Sequence, residues 1–382
     1  VSHSKRLHHH PDCHSTTHGT PRRHAHPICI RIGRSVRGDL HSRFARRVTA
    51  HSTTESTVTV MKAAVYDHVG GPEVFRYEEV AEPELRNGHV RIDVKVIAIQ
   101  GGDLLHRQGG VLATTPHIVG YQAAGIVRDV GAGVTRITPG QRVVATMGYG
   151  SHAEVVCVPE QSVWVIPDGA SLEEGAGVPI EFGTAHDCLF EFGRLTAGEH
   201  VLIQAGAGGV GLAAIQLAKA AGATVYATAS SDERLARLKQ YGLDHAINYA
   251  TSDPAKVVME LTNGKGVNLV VDPVGGKTLE SSVASLAHRG RISWVGRAGR
   301  EPQPPEIWPI MQKNASITGV FLGAEMMMNG HRTHPLIQSL LERVAKRELT
   351  VVMDKTFHLA EAADAHRYIE SRQAFGRVLM TP

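Results

Sequence analysis

The stretch Ala205-Gly206-Ala207-Gly208-Gly209-Val210-Gly211 follows the apolar run Val201-Leu202-Ile203 and opens the alanine- and leucine-rich segment 212–221. No other part of the chain narrows the choice of fold so far. A run that is apolar without alternation is what a parallel strand buried on both faces requires. Val210, Ala213, Ala214 and Leu217 then recur at helical spacing. Strand, glycine turn and helix in that order bring backbone N–H groups and a helix N-terminus onto a pyrophosphate. In the register Gly206, Gly208, Gly211 the first glycine makes the tight turn, the second permits close backbone approach, and the third lets helix pack on strand. A flexible glycine turn is the plainer alternative, but it would need neither flanking element.

The alternation continues over residues 200–321. Strand candidates are 201–204, 224–228, 246–249, 267–271, 291–295 and 317–321, with helical runs at 209–221, 232–241, 254–261 and 279–287. Six strands joined by crossover helices predict a doubly wound parallel sheet, the Rossmann arrangement of an α/β protein. Residues 61–168 read differently. Short alternating segments such as 90–96 and 155–165 are punctuated by turn signals at Gly70-Gly71-Pro72, Gly131-Ala132-Gly133 and Thr138-Pro139-Gly140. That pattern predicts an all-β unit resembling a small, partly open barrel, with helical periodicity only beyond Glu173. After Gly323, a helix near 335–347 and a β-rich end, Arg377-Val378-Leu379, are expected to return to the first domain.

At 382 residues the chain can bury two full cores. Charges or glycines interrupt every apolar stretch before the roughly 20 residues needed to span a bilayer, so no membrane span is expected. The four cysteines, Cys13, Cys29, Cys157 and Cys188, form no C-x-x-C pair, which excludes a disulfide framework and a four-cysteine zinc lobe. Such usage suits a reducing compartment, and a cytoplasmic location is expected. Residues 1–60 stand apart: ten Lys and Arg against three acids, and ten of the 23 histidines, including His8-His9-His10. They are expected to be a disordered basic tail, with the natural domain starting at Met61 and removal of the tail leaving it intact. A transit peptide is the alternative, ahead of a histidine metal trap or a nucleic-acid-binding arm. Because the basic excess sits there, the folded body is not expected to carry a basic groove or a nucleic-acid partner.

Taken together, Met61-Lys62-Ala63, Gly120-Tyr121-Gln122-Ala123-Ala124-Gly125, Gly183-Thr184-Ala185, the glycine turn, Val271-Asp272-Pro273-Val274-Gly275 and Gly376-Arg377-Val378 are more specific than any single motif. Through them, residues 61–382 resemble the medium-chain dehydrogenase/reductase superfamily, and within it the zinc-independent, zeta-crystallin-like quinone oxidoreductases. The resemblance implies a GroES-like, β-rich catalytic domain split around a Rossmann domain. The expected divisions are 61–183, 184–321 and 322–382, with the active site in the cleft and a homodimer as the assembly. Zinc-using relatives place a Cys ahead of Gly-x-Asp and a His-Glu pair after the next motif's glycine. Here Gln100 precedes Gly101-Gly102-Asp103, and Tyr121-Gln122 follows Gly120. Amide and phenol are poor zinc ligands beside thiolate and imidazole, so neither catalytic nor structural zinc is expected.

Cofactor choice is read at the end of the second Rossmann strand. An NAD enzyme usually presents an acid there to the ribose hydroxyls, but this chain reads Ala227-Thr228-Ala229-Ser230-Ser231. Arg234 and Tyr249 match positions where the family binds the 2′-phosphate, so NADPH is the expected cofactor. Ser230 and Glu233 also fit a helix capping box, with Arg234 a solvated helix residue; capping and phosphate binding can coexist. The resemblance further places Thr184, Gly206, Gly208, Gly209, Val210, Gly211, Ser230, Val295, Phe321 and Arg377 at the cofactor. Gly276-Lys277-Thr278 imitates the end of a Walker loop, but the glycine needed five residues earlier is Val271, so an ordinary strand-to-helix turn is expected. Met326-Met327-Met328 reads as core or cleft lining.

Hydride transfer asks little of side chains, because the nicotinamide carries the reacting hydrogen. Gln100 stands where the family often has Asn, and its amide could donate to an anion growing on the acceptor. Tyr121 is the second candidate catalytic residue. Leu105 and Val111 occupy positions where quinone reductases often carry tyrosines, so an enone or other activated alkene fits as well as a quinone. Two other readings stay open: a relative of the zinc-type alcohol dehydrogenases, and a non-catalytic, crystallin-like NADPH-binding protein with RNA affinity.

Overall fold

The computed structural model describes residues 59–382. The expectations for the basic tail therefore lie outside the described residues. The first part of the described chain runs β1 (Val60–Tyr66), β2 (Arg76–Ala81), β3 (His89–Ala98), α1 (Gly101–Gly109), β4 (His117–Ile118), β5 (Gln122–Val130), β6 (Arg142–Thr146), β7 (Val155–Pro159) and β8 (Val163–Val165). Helices α2 (Leu172–Ala176) and α3 (Pro179–His186) follow. Then come β9 (His200–Ile203), α4 (Gly209–Ala220), β10 (Thr224–Ala229), α5 (Asp232–Leu238), β11 (His245–Asn248), α6 (Pro254–Leu261), β12 (Val267–Asp272), α7 (Gly276–Ser285), β13 (Leu286–Trp294) and β14 (Ser316–Gly319). The chain ends with α8 (Leu322–Met328), α9 (Gly330–Ala345), β15 (Met353–His358), α10 (Ala362–Glu370) and β16 (Arg377–Thr381).

Strands β9 to β14 form one parallel sheet in the order β11-β10-β9-β12-β13-β14. The order reverses between β9 and β12, where an open α/β sheet leaves a crevice at the carboxyl ends of its strands. The unbroken apolar run of β9 has a direct cause. Val201 and Ile203 pack with Ala213, Ala214 and Leu217 of α4 on one face. Leu202 packs on the other with Leu279 and Val283 of α7. The six predicted strands and the doubly wound topology are thus present, and α6 has the expected bounds.

The β-rich part closes on itself through the far end of the chain. Its seven-stranded sheet runs β15-β16-β3-β5-β6-β8, with β7 also on β3, beside a small sheet β2-β1-β4. Strand β16 pairs antiparallel with β3, setting Leu379 opposite Ala98, and Ile99 N–H donates to Val378 O at 3.2 Å. This non-local pairing puts Gln100 beside Arg377.

Two local expectations are corrected. The all-β reading of 61–168 misses α1, whose opening pair of glycines gives little helical signal; the Asp103 carboxylate accepts from Gln100 N–H at 2.7 Å and ties down the first turn. Strand β1 begins at Val60, and Glu82 N–H donates to Thr59 O at 2.9 Å. Pro335, read as a helix start, lies inside α9. Among the described residues no helix is long and apolar enough to cross a membrane.

Candidate active site

At the carboxyl end of β9 the chain turns through Ala205, whose φ of +52° lies in the left-handed region. A buried ladder fixes that turn. Ala205 N–H donates to Thr228 Oγ1 (3.1 Å), Thr228 Oγ1 to Gln204 Oε1 (2.8 Å), and Gln204 Nε2 to Ser282 Oγ (3.1 Å). The three glycines then divide their work. A Cβ on Gly211 would sit 2.5 Å from Ala205 O and 2.7 Å from Gly206 Cα, so α4 packs directly on the turn. A Cβ on Gly208 would meet only Ala205 O, at 3.4 Å. Gly208 is also the N-cap of α4 and brings no side chain to cap it, leaving first-turn N–H groups of a twelve-residue helix for an anion. Gly206 differs from expectation: it does not line the cleft, because its space is closed by Ala227 and Leu238.

Strand β10 ends at Ala229 with no acid at its tip. The cap of the next helix is Ser231, whose Oγ accepts from Arg234 N–H at 3.3 Å, and not Ser230 as the capping-box pattern suggests. The helix starts one residue later than that pattern requires, leaving Ser230 on the cleft wall. Nor is Arg234 a merely solvated helix residue. Its Nη1 donates to Gln373 O at 2.9 Å and its Nη2 to Ala374 O, while Arg237 lies 3.7 Å from the Phe375 ring centre. Tyr249, at the end of β11, lines the same wall as Ser230 and Arg234.

At the other end of the cleft the material is side chains. Gln100 is buried and donates from Nε2 to Glu181 Oε1 (2.8 Å) and to Ala98 O (3.4 Å). The expectation that this amide points a donor into the cleft is therefore corrected: both its donations run into the protein, drawn by a buried carboxylate that the sequence reading did not use. Tyr121 donates to Gly102 O at 3.2 Å and packs so close to it that a Cβ on Gly102 would lie 2.5 Å from Tyr121 Cε2. Burial and the neighbouring Asp103 push the Tyr121 phenol up to about 12. Asp103 is fully buried with Oδ1 unpartnered, and burial pushes its carboxyl up to about 8 against the opposing pull of Gln100 N–H and Arg377.

Glu181 is the residue that sequence reasoning missed. It lies in α3 at 1% exposure and receives Gln100, Gln122 (3.2 Å) and, across a 2.6 Å ion pair, Nε of Arg377. A carboxylate inside the mostly apolar stretch Pro179–Ala185 was the available signal. Leu105 lines the cleft, whereas Val111 is 88% exposed and away from it. Met326 and Met327 line the cleft, and Met328 is exposed rather than core. Gly276 opens α7 as an ordinary strand-to-helix turn.

One continuous cleft of about 1780 Å³ joins the two ends. Besides Gln100 and Tyr121 it is lined by Thr184, Gly208, Gly209, Val210, Gly211, Ser230, Arg234, Tyr249, Val295, Phe321 and Arg377. The fold thus gathers every sequence-derived site residue but Gly206. Among the described residues no group of three or more His, Cys, Asp or Glu side chains is placed to hold a metal ion.

Comparison with known proteins agrees with this architecture. Residues 86–168 match the GroES-like domain of alcohol dehydrogenases, and residues 209–340 match the zinc-binding dehydrogenase domain. The chain is 33% identical to a 2-haloacrylate reductase from a Burkholderia species over 332 residues, covering 85% of this chain and 99% of the relative. It is 32% identical to a quinone oxidoreductase of Pseudomonas aeruginosa, covering 82% of this chain and 97% of the relative. The Escherichia coli quinone oxidoreductase, solved in complex with NADPH, superposes with a TM-score of 0.80 at 28% identity, covering 84% of this chain and all of that one. The chain belongs to the zinc-independent quinone oxidoreductases of the medium-chain dehydrogenase/reductase superfamily.

Proposed function

We propose that this protein is an NADPH-dependent reductase that delivers a hydride to a quinone or to an alkene conjugated with a carbonyl group, without a metal. The observation that carries the reading is the single cleft joining an acid-free strand tip and glycine turn to the buried Gln100–Tyr121 end. The residues present fit a dinucleotide phosphate. The first turn of α4 offers backbone donors where Gly208 leaves open space, while Ser230, Arg234 and Tyr249 would hold the 2′-phosphate. Arg234 must share its guanidinium with the carbonyls of Gln373 and Ala374 in that role. Thr184, Val295, Phe321 and Arg377, which line the same cleft, would complete the contacts with the cofactor.

When bound, the dihydronicotinamide supplies the hydride. The chain's own part is to orient, to exclude water and to answer the charge left on the acceptor oxygen. Burial of Gln100 and Glu181 makes that end rigid and dry, the condition under which fixed dipoles act most strongly. Tyr121 holds its proton firmly at neutral pH, and its hydroxyl, which lines the cleft, would donate to a developing oxyanion once it turns from Gly102 O. The relative that reduces 2-haloacrylates supports an activated alkene as acceptor, and those that reduce quinones support the quinone.

Turnover of a panel of quinones, enones and unsaturated acids, each with NADPH and with NADH, tests the proposal. Oxidation of NADPH in preference to NADH, with at least one acceptor reduced, is expected. Binding of NADPH without turnover of any acceptor would favour the crystallin-like reading.

A further inference from the structure

The buried carboxylate of Glu181 is in contact with both ends of the cleft at once. Through Oε1 it takes the amide of Gln100 at the hydride-transfer end. Through the same oxygen, 2.6 Å away, it faces Nε of Arg377. Its other oxygen receives Gln122, whose own carbonyl accepts from Ile180 N–H at 2.9 Å, so the carboxylate and its helix are held by one amide. The pair lies flat on the glycine turn: a Cβ on Gly209 would be 2.8 Å from Glu181 Cγ and 2.9 Å from Arg377 Nη1. Arg377 itself donates from Nη2 to Ile99 O, one residue before Gln100.

A carboxylate this deeply buried is tolerable only when paired, and its partner, Arg377, lies against Gly209 in the first turn of α4. The same contact holds back the charge of Arg377 from any anion above the turn. An anion there meets a neutralised pair, not a free guanidinium. Meanwhile Gln100 has no freedom to rotate its amide as long as Glu181 accepts from it.

We propose that Glu181 is a positioning residue that sets both ends of the cofactor cleft: it fixes the place of Gln100 in the wall of the hydride-transfer end and restrains the affinity of Arg377 for the cofactor's phosphates. This rests on the NADPH reading above. Replacing the charge while keeping the shape therefore moves two quantities in opposite directions. A residue of merely structural importance would lower both together.

The test uses the full chain, with Glu181→Gln and Glu181→Asp compared with the parent by direct NADPH titration, steady-state turnover and thermal unfolding with and without NADPH. In Glu181→Gln, NADPH should bind about three- to tenfold more tightly, the effect of freeing one partly buried charge. Its kcat should fall by about tenfold through loss of the Gln100 geometry. The rise in Tm on adding NADPH should be larger than in the parent, because the ligand then supplies the missing counter-charge. Glu181→Asp keeps the charge and should leave NADPH affinity within about twofold while still lowering kcat. Weaker NADPH binding together with lower kcat in Glu181→Gln, or unchanged kcat in both variants, would overturn the proposal. If Glu181→Gln does not fold, the Glu181→Asp pattern alone decides. Failure of the parent to bind NADPH would overturn the cofactor assignment itself, and the proposal with it.

Discussion

The two ends of the cleft are built from different material. At the glycine turn the surface is backbone, held in place by what cannot be there: Gly211 and Gly206 are fixed by the absence of a Cβ. At the Gln100 end the surface is side chains, held by a carboxylate in α3, an arginine from β16 and an aspartate from α1. A backbone-built site tolerates almost no added atoms but is indifferent to charge. A side-chain network tolerates isosteric change but not loss of a partner.

The sharpest break in this comparison should come from the backbone end. Gly211→Val would drive a branched side chain into Ala205 O and Gly206 Cα, neither of which can move without the strand, and should destabilise the fold by about 3 kcal/mol and abolish NADPH binding. Gly208→Ala is the control in the same turn, since its Cβ meets nothing closer than 3.4 Å. It should leave the unfolding midpoint in denaturant nearly unchanged and impair only NADPH binding. Equal loss of stability in the two variants would mean that the turn is uniformly strained rather than divided between packing and ligand space.

Next in size is Arg234→Ala. Loss of a charged hydrogen bond to the 2′-phosphate should weaken NADPH by about 1.5 to 3 kcal/mol and leave NADH nearly unaffected. The structure sharpens what failure would mean, because Arg234 also anchors the carbonyls of Gln373 and Ala374. Equal losses for the two cofactors in binding titrations would assign the residue to that tether instead of to cofactor choice.

The contrast in materials also explains what could be read from the chain. The strands of the parallel sheet and the glycine turn are local: each is announced by a run of apolar residues or by a glycine whose reason lies within a few positions. Gln100 was visible as an amide at the right place. Its orientation was not, because it depends on Glu181, which sits 81 positions away, and on β16, which is brought to β3 only by the final pairing. The same holds for α1, whose glycine-rich start hides a helix that Asp103 stabilises. Fold class and family were legible in the sequence, whereas the wiring of the side-chain end was not, since contacts between distant segments leave no periodicity to detect.

The last contrast lies in the pH dependence of groups buried in the β-rich part, where the sign of the change is the test. Burial pushes His117 down from 6.5 to about 4 and His152 down from 6.5 to about 3, with His366 also well below its usual value. These groups are held neutral in the fold. Their contribution to stability is complete above about 6.5 and is lost as the pH falls toward 3, because the unfolded chain then binds more protons. Asp103 has the opposite sign. Its carboxyl is raised from 3.8 to about 8, so its contribution is complete below about 4 and is lost as the pH rises through 8. Asp103→Asn removes only the second trend. Near pH 4, where both side chains are neutral, the variant should lie within about 1 kcal/mol of the parent, since the acceptor for Gln100 N–H is retained. Its stability relative to the parent should climb between pH 4 and 8 and level off above. Thermal unfolding across that range checks the sign. A difference that does not vary with pH would show that Asp103 ionises normally in the fold, and the side-chain end would then be wetter than its burial implies.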